Sequence, residues 1–290
     1  GAQAICKKEG KVCGADAPCC FNGACGSDVK SCSEGCDPSN SFAANSCYPL
    51  PKCANYKGTL ASPSLIQPRS AYNGDPNSVD WLIEYSPNHA TIKDNQIVME
   101  MREGDSPNEF GRKEGVGTTI SWTRHMQYGK MTARIKTGVL SPGVVSSFIT
   151  MSPEGDEIDF EWVGKDRKQV QSNYYYNGIL DYTKGGMHAL DFDTTADFHE
   201  YSIDWQPDYI SWYVDGKLIR SVQRSTTRQN NGTYNFPTKL SRVQFGLWDG
   251  GQGAQGTAEW AGTPTDWSKP GTRHTNTHHA CHTEPARLVG

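Results

Sequence analysis

From about residue 72 to residue 262 the chain alternates apolar and polar positions in short runs. NQIVMEM, GKMTARIKT, KQVQSNYYY, HEYSIDW, YISWYVDGKLIRSV and RVQFGLW follow one another, separated by Gly, Pro, Asn and Asp. Successive side chains of a strand point to opposite faces, so each run predicts a strand with one buried face. In YVDGKL, Asp215-Gly216 stands between two such runs, which is a strong hairpin signal. No long helical periodicity interrupts the series. Many short strands without helices between them predict an all-β, two-sheet antiparallel jelly roll or sandwich over residues 72–267.

The flanking segments have a different texture. Residues 1–53 have little aliphatic content and could not bury a core without cross-links. Nine of the ten cysteines lie there, between Cys6 and Cys53, and the tenth is Cys281. That density predicts a small disulfide-rich module made in an oxidising, secretory compartment. The spacings repeat no C-x2-C pair, which argues against zinc. The Asn231-Gly232-Thr233 sequon points to the same compartment. Residues 54–71, with Pro63 and Pro68 among small polar residues, read as a linker or entry strand. Residues 268–290 hold His274, His278, His279 and His282, half of the eight histidines. A metal site is conceivable there, but nothing apolar would hold the segment, so it reads as a tail or an expression scar.

Composition narrows the function. A net charge of −4 and a pI near 6.1, with no run of Lys and Arg, exclude a nucleic-acid binder. No apolar stretch reaches the ~18 residues that span a bilayer. The opening GAQAICKKEG has no leader pattern and reads as a mature or trimmed start.

The candidate chemistry is in DEIDFEW, residues 156–162. Alternation puts Glu157, Asp159 and Glu161 on one face and Ile158, Phe160 and Trp162 on the other. A solvated strand face would mix in Thr, Lys or Ser, because like charges ~7 Å apart repel. A calcium site would draw on loop carbonyls and Asn rather than a regular strand. Two carboxylates can instead flank a glycosidic bond. The Cα atoms of Glu157 and Glu161 are ~13 Å apart on a straight strand, and leaning side chains on a curved sheet shorten that gap. The separation needed by a retaining glycosidase is ~5–5.5 Å. Three neighbouring carboxyls cannot all ionise cheaply, so at least one holds its proton and one can serve as general acid. The residues alone do not tell the two Glu apart.

E-x-D-x-E on one strand face resembles the active-site motif of the family-16 glycoside hydrolases. DEIDFEWVGKDRKQVQSNYYYNG and FHEYSIDWQPDYISWYVDGKL are similar to the bacterial endo-β-1,3-1,4-glucanases, the lichenases, of that family. GVVSSF and GTAEWAG resemble equally the fungal Crh-type cell-wall transglycosylases of the same family. The likeness covers roughly residues 110–262. It implies a jelly roll with a cleft across a concave sheet and a double displacement that retains anomeric configuration. By position it implies Glu157 as nucleophile, Asp159 as its hydrogen-bonded helper and Glu161 as general acid/base, with no cofactor. Lichenases carry a Trp where this chain reads SPEGD, an Arg where it reads GVGTTIS, and an Asn at Gly246. These departures turn the expectation toward the transglycosylases.

Sugars pack their C–H faces on aromatic rings. Gln171, Asn173 and Tyr175 share one face of KQVQSNYYY, expected beside the catalytic strand, and Trp248 and Trp260 are candidate platforms. His199 is expected to be a structural, hydrogen-bonded residue. CGADAPCCFNGACGSDVKSC resembles hevein-like chitin-binding modules, which implies the pairs Cys6–Cys20, Cys13–Cys25 and Cys19–Cys32. Between the Cys pair and C-G-S only Phe21 is left as an aromatic. A cross-linked cap or a cell-wall spacer is therefore as good a reading as chitin binding. Proximity suggests Cys47–Cys53, leaving Cys36 and Cys281 without obvious partners. The expectation is a secreted, monomeric, retaining enzyme of the cell wall. It would cleave β-1,3- or β-1,3-1,4-glucan and pass it to a glycan acceptor. The alternatives are a hydrolysing endo-β-1,3(4)-glucanase, a chitin–glucan transglycosylase and a lectin on the same fold, against which the intact acidic triad argues.

Overall fold

The computed structural model describes residues 5–6 and 12–269, and the backbone of 272–281. Two eight-stranded sheets pack face to face. The front sheet runs in the order Gly186–Ala189, Gln169–Tyr175, Glu157–Val163, Val144–Met151, Ser241–Asp249, Thr118–Met126, Trp81–Ile83, Ile66–Pro68. All its neighbours are antiparallel except the last pair. The back sheet runs Lys217–Gln223, Tyr209–Val214, His199–Trp205, Gly129–Lys136, Thr272–Cys281, Gln96–Glu100, Ala90–Lys93, with Tyr56–Lys57 added beside Thr272–Cys281. This is the jelly-roll sandwich that the alternating runs predict.

The apolar half of each strand makes the core. Phe148, Phe160, Trp162 and Phe245 from the front sheet, with Tyr201, Trp205 and Trp212 from the back, are fully buried in one cluster. Tyr201 stands edge-on to Phe160 and Trp162, at ring separations of 5.6 and 4.7 Å. Ile158, Phe160 and Trp162 therefore turn inward, and the acids between them face out of the sandwich. The Asp215-Gly216 turn has φ of 48° and 77°, as a tight hairpin between right-twisted strands requires. His199 Nδ1 lies 2.7 Å from the Asp215 carboxylate, a structural contact at that hairpin.

The N-terminal module is built on its cross-links. Cys6–Cys20, Cys13–Cys25 and Cys19–Cys32 are bonded as the hevein-like resemblance implies, and the buried cysteines are themselves the module's core. Cys47 pairs with Cys36, not with Cys53. The Asp37–Ser41 turn brings the two together: Ser41 Oγ donates to the Asp37 carbonyl and lies 3.6 and 3.5 Å from the two sulfurs. Cys53 is also disulfide-bonded.

The C-terminal segment departs from the expected tail. Residues 272–281 form a strand inserted between Gly129–Lys136 and Gln96–Glu100. Backbone pairing on both sides holds a Thr- and His-rich stretch that shows no apolar alternation. The side chains of the four C-terminal histidines lie outside the described residues. Among the described residues, no helix is long and apolar enough to cross a membrane.

Candidate active site

Register lays the site out in rows across the front sheet. Tyr175, Glu157, Met151 and Arg242 are successive partners in one row. Asn173, Asp159, Ile149 and Gln244 make the next. Gln171, Glu161, Ser147 and Gly246 make the third. The outward face of the catalytic strand thus has a polar, aromatic neighbour on one side, and on the other a floor that narrows from Met151 and Arg242 beside Glu157 to Ser147 and Gly246 beside Glu161. A Cβ on Gly246 would fall 2.6 Å from Ser147 Oγ, so any larger residue here would push that hydroxyl aside and fill the floor level with Glu161.

The fourth acid of DEIDFEW has a different job. Asp156 is buried, and its carboxylate accepts backbone N–H groups from Asn177 at 2.8 Å, Thr238 at 2.8 Å and Lys239 at 3.0 Å. It ties two loops to the residue that precedes Glu157. On the core side, Trp212 Nε1 donates to the Asp159 carbonyl at 2.9 Å and fixes the middle of the strand.

The three outward carboxyls are raised together. Asp159 is pushed well above the usual carboxylate range by burial, then by the charges of Glu157 and Glu161 and by its hydrogen bond to Glu157. Burial also raises Glu157, and the hydrogen bond from Asp159 works against that rise. The shared bond lowers one group and raises the other, so Asp159 keeps the proton and donates it to the Glu157 carboxylate. Glu161 is raised to about 7, by burial first and then by the charge on Glu157. The strand therefore presents three carboxyls that all resist ionisation, with Asp159 the stronger proton holder of the Asp159–Glu157 pair and Glu161 raised to about 7.

Next to Glu161 opens a cleft of about 680 Å³. Gln171, Asn173, Tyr175, Trp248 and Trp260 all line it, with Tyr182, Met187 and Thr257. Trp248 and Trp260 stack with centroids 6.0 Å apart, and Trp260 Nε1 donates to Gln171 Oε1 at 2.8 Å. Asn173 Nδ2 donates to the Tyr175 hydroxyl at 2.9 Å. Burial raises that hydroxyl's pKa first, followed by the charges of all three acids. The GTAEWAG motif that brings Trp260 here is the helix Gln255–Ala261. The sequence reading missed Tyr182, exposed in the short helical turn Tyr182–Lys184, and Met187, exposed on the edge strand Gly186–Ala189. It also missed Arg242 and Gln244, although RVQFGLW puts both on the face of Trp248. The cysteines Cys6, Cys13 and Cys25 lie close together but are disulfide-bonded and offer no metal ligand.

Residues 77–269 match the family model described as Glycosyl hydrolases family 16. The chain is 39% identical over 262 residues to the Crh-like protein 2 of Aspergillus fumigatus, covering 88% of this chain and 56% of that protein. It spans about half the length of the first curated relatives it matches. A solved Crh5 transglycosylase in complex with NAG shares the fold at a TM-score of 0.61 and 26% identity, covering 81% of this chain and 89% of that one. A prokaryotic β-1,3-1,4-glucanase (lichenase) from a mouse hindgut metagenome superposes at a TM-score of 0.56 and 26% identity, over 67% and 84%.

Proposed function

Because the chain belongs to glycosyl hydrolase family 16, we propose that it is a retaining β-glucan transglycosylase of the extracellular cell wall. Its substrate class is a β-1,3- or mixed β-1,3-1,4-glucan, and its second substrate is a glycan hydroxyl. In the first step the Glu157 carboxylate attacks the anomeric carbon. Glu161 gives its proton to the departing glycosidic oxygen, so the leaving chain ends in a hydroxyl. Asp159 keeps its proton throughout and holds Glu157 in line. In the second step an acceptor hydroxyl gives its proton to Glu161 while its oxygen attacks the anomeric carbon. Glu157 then leaves as the carboxylate. Two displacements at one carbon preserve its configuration.

One observation carries transfer over hydrolysis: the aromatic cleft that opens on Glu161. Trp248, Trp260, Tyr175 and Tyr182 offer flat apolar surface, and Gln171 and Asn173 offer hydrogen bonds. A sugar seated there puts its hydroxyl beside the base at a high effective concentration and displaces water. The Crh-like relatives and the Crh5 transglycosylase support this reading, and the NAG in that protein favours an amino-sugar chain as one acceptor. The lichenase neighbour supports plain hydrolysis as the second reading. The module's disulfides support an oxidising, extracellular setting.

Product analysis on laminari- and cello-type oligosaccharides, with and without a chito-oligosaccharide acceptor, tests the proposal. Transfer gives products longer than the donor, visible by mass. Only shorter products would make the protein a hydrolase.

A further inference from the structure

Glu34 lies in the disulfide module, yet its carboxylate is bound by Arg242 and His125 of the catalytic sheet and by Arg69, just after the entry strand. Its Oε2 meets Arg69 Nη1 at 2.6 Å, and its Oε1 meets Arg242 Nε at 2.9 Å and His125 Nε2 at 3.1 Å. The Glu34 side chain is 10% exposed and the His125 side chain 4%. The contacts continue along the front face. Arg69 grips both oxygens of Glu84, at 2.5 and 2.6 Å, and Arg242 Nη1 reaches Glu84 at 3.2 Å. Ser121 Oγ donates to Glu84 at 2.5 Å, and Gln244 Nε2 donates to Ser121 at 2.8 Å.

The seam around Glu34 is close-packed. Ser33, Tyr48, Pro49, Pro51 and Tyr72 enclose, with Glu34, a void of only about 40 Å³. A Cβ on Gly74 would fall 2.6 Å from Val29 Cγ1, so a catalytic-domain loop and the module's helix approach at a position that only glycine permits. The His125 N–H donates to the Pro51 carbonyl at 2.8 Å, and the Cys53 N–H donates to the His125 carbonyl at 2.7 Å, which stitches the connecting segment to the same strand.

Register places this anchor in the row of the nucleophile. Arg242 pairs with Met151, and Met151 pairs with Glu157. Two strand spacings put the Arg242 backbone ~10 Å from that of Glu157. The open cleft lies toward Glu161, lined by Tyr175 and Met187 on the far side of the catalytic strand and by Trp248 six residues along the Arg242 strand. We propose that the disulfide module is a fixed wall of the glucan cleft, and that Glu34 is the positioning residue that seats it. A β-glucan chain lying across the front sheet is stopped on the Arg242 side after a short run of rings and extends freely on the Tyr175 and Met187 side. The module then decides where along a glucan the enzyme cuts. This rests on the β-glucan reading of the cleft given above.

The test uses the full chain and its Glu34→Ala and Glu34→Gln variants. End-labelled laminari-oligosaccharides of graded length report the cleavage position. Limited proteolysis in residues 48–55 reports release of the module. The wall predicts a fixed, short product on one side in the parent protein. In the variants, protease sensitivity rises and the cleavage position moves by ~tenfold or more in product ratio toward longer fragments on that side. A released module with an unchanged cleavage pattern would overturn the wall. A module that stays protected in both variants would overturn Glu34 as its seat. Should Glu34→Ala fail to fold, Glu34→Gln keeps size and hydrogen bonding and carries the same comparison. Binding decides the wall independently of turnover, with Glu157→Gln as background. Affinity should level off at a shorter oligosaccharide when Glu34 is intact than when Glu34→Gln is added, and equal plateaus would count against the wall. If the parent protein cleaves no β-glucan, the function reading fails while this binding comparison still stands or falls alone.

Discussion

At the level of single residues, the site is three carboxyls that hold protons with unequal strength. Asp159 holds its own because it is the most buried of the three and sits between the other two charges. Asp159→Asn keeps the shape and can donate a hydrogen bond, but it removes a titrating site. Its kcat should fall by less than the ~10²–10⁴-fold that follows loss of an acid/base catalyst, and the acidic limb of the pH–rate profile should shift. An unchanged profile would reduce Asp159 to a filler of the strand face. Glu161, raised to about 7, must be protonated to expel the leaving chain. Thus kcat/KM should decline as pH rises through about 7, and a Glu161→Gln protein should lose that limb with most of its activity. The same shift acts on stability. A carboxyl raised in the folded state favours the fold most below its unfolded value and loses that contribution as pH rises through the folded value. Glu161→Gln should therefore be more stable than the parent at about pH 8, on the order of 1–3 kcal/mol, and equal to it near about pH 4. Calorimetry at the two pH values reads the difference.

Among the elements, the catalytic strand is held from behind by packing and at its start by Asp156. One oxygen of that carboxylate serves Asn177 and the other serves Thr238 and Lys239. Asp156→Ala leaves three N–H groups without an acceptor and should cost ~2–4 kcal/mol in denaturant unfolding. Asp156→Asn keeps one acceptor oxygen and should fall between Ala and the parent; an Asn variant as unstable as Ala would show that charge, not hydrogen bonding, matters here. Elements whose cause is local were legible in the chain. HEYSIDW is a strand over its whole length because its alternation is unbroken, and Asp215-Gly216 turns because those two residues tolerate positive φ. Elements held by distant partners were not. Thr272–Cys281 carries no apolar period, and its place in the back sheet depends on the strands on either side. Cys36 finds Cys47 through the Asp37–Ser41 turn, which spacing alone does not reveal. Glu34 looked like any surface acid of a small module, because the arginines that bind it are 35 and 208 residues away in the chain.

In the whole molecule, a two-sheet sandwich presents the acids while a cross-linked module contacts the same face through Glu34. Burial works against ionising Glu34, but the His125 hydrogen bond and the charges of Arg242 and Arg69 outweigh it and hold the carboxyl down to about 2. A group depressed in the folded state stabilises above its unfolded pKa and loses that contribution as pH falls through the folded value. The module should stay seated at about pH 5 and loosen progressively from about pH 4.5 toward 2, read as rising protease sensitivity of the connecting segment. A module that detaches at about pH 6 would contradict the anchor. On the proposed reading, cleft, module and acids serve one event, a covalent glycosyl transfer through Glu157 on a single strand face. Trapping with a 2-fluoro-glucosyl donor followed by peptide mapping reads that event itself. The sugar should be found on Glu157, with none in a Glu157→Gln protein; a sugar on Asp159 or Glu161, or a fully active protein that forms no adduct, would contradict it.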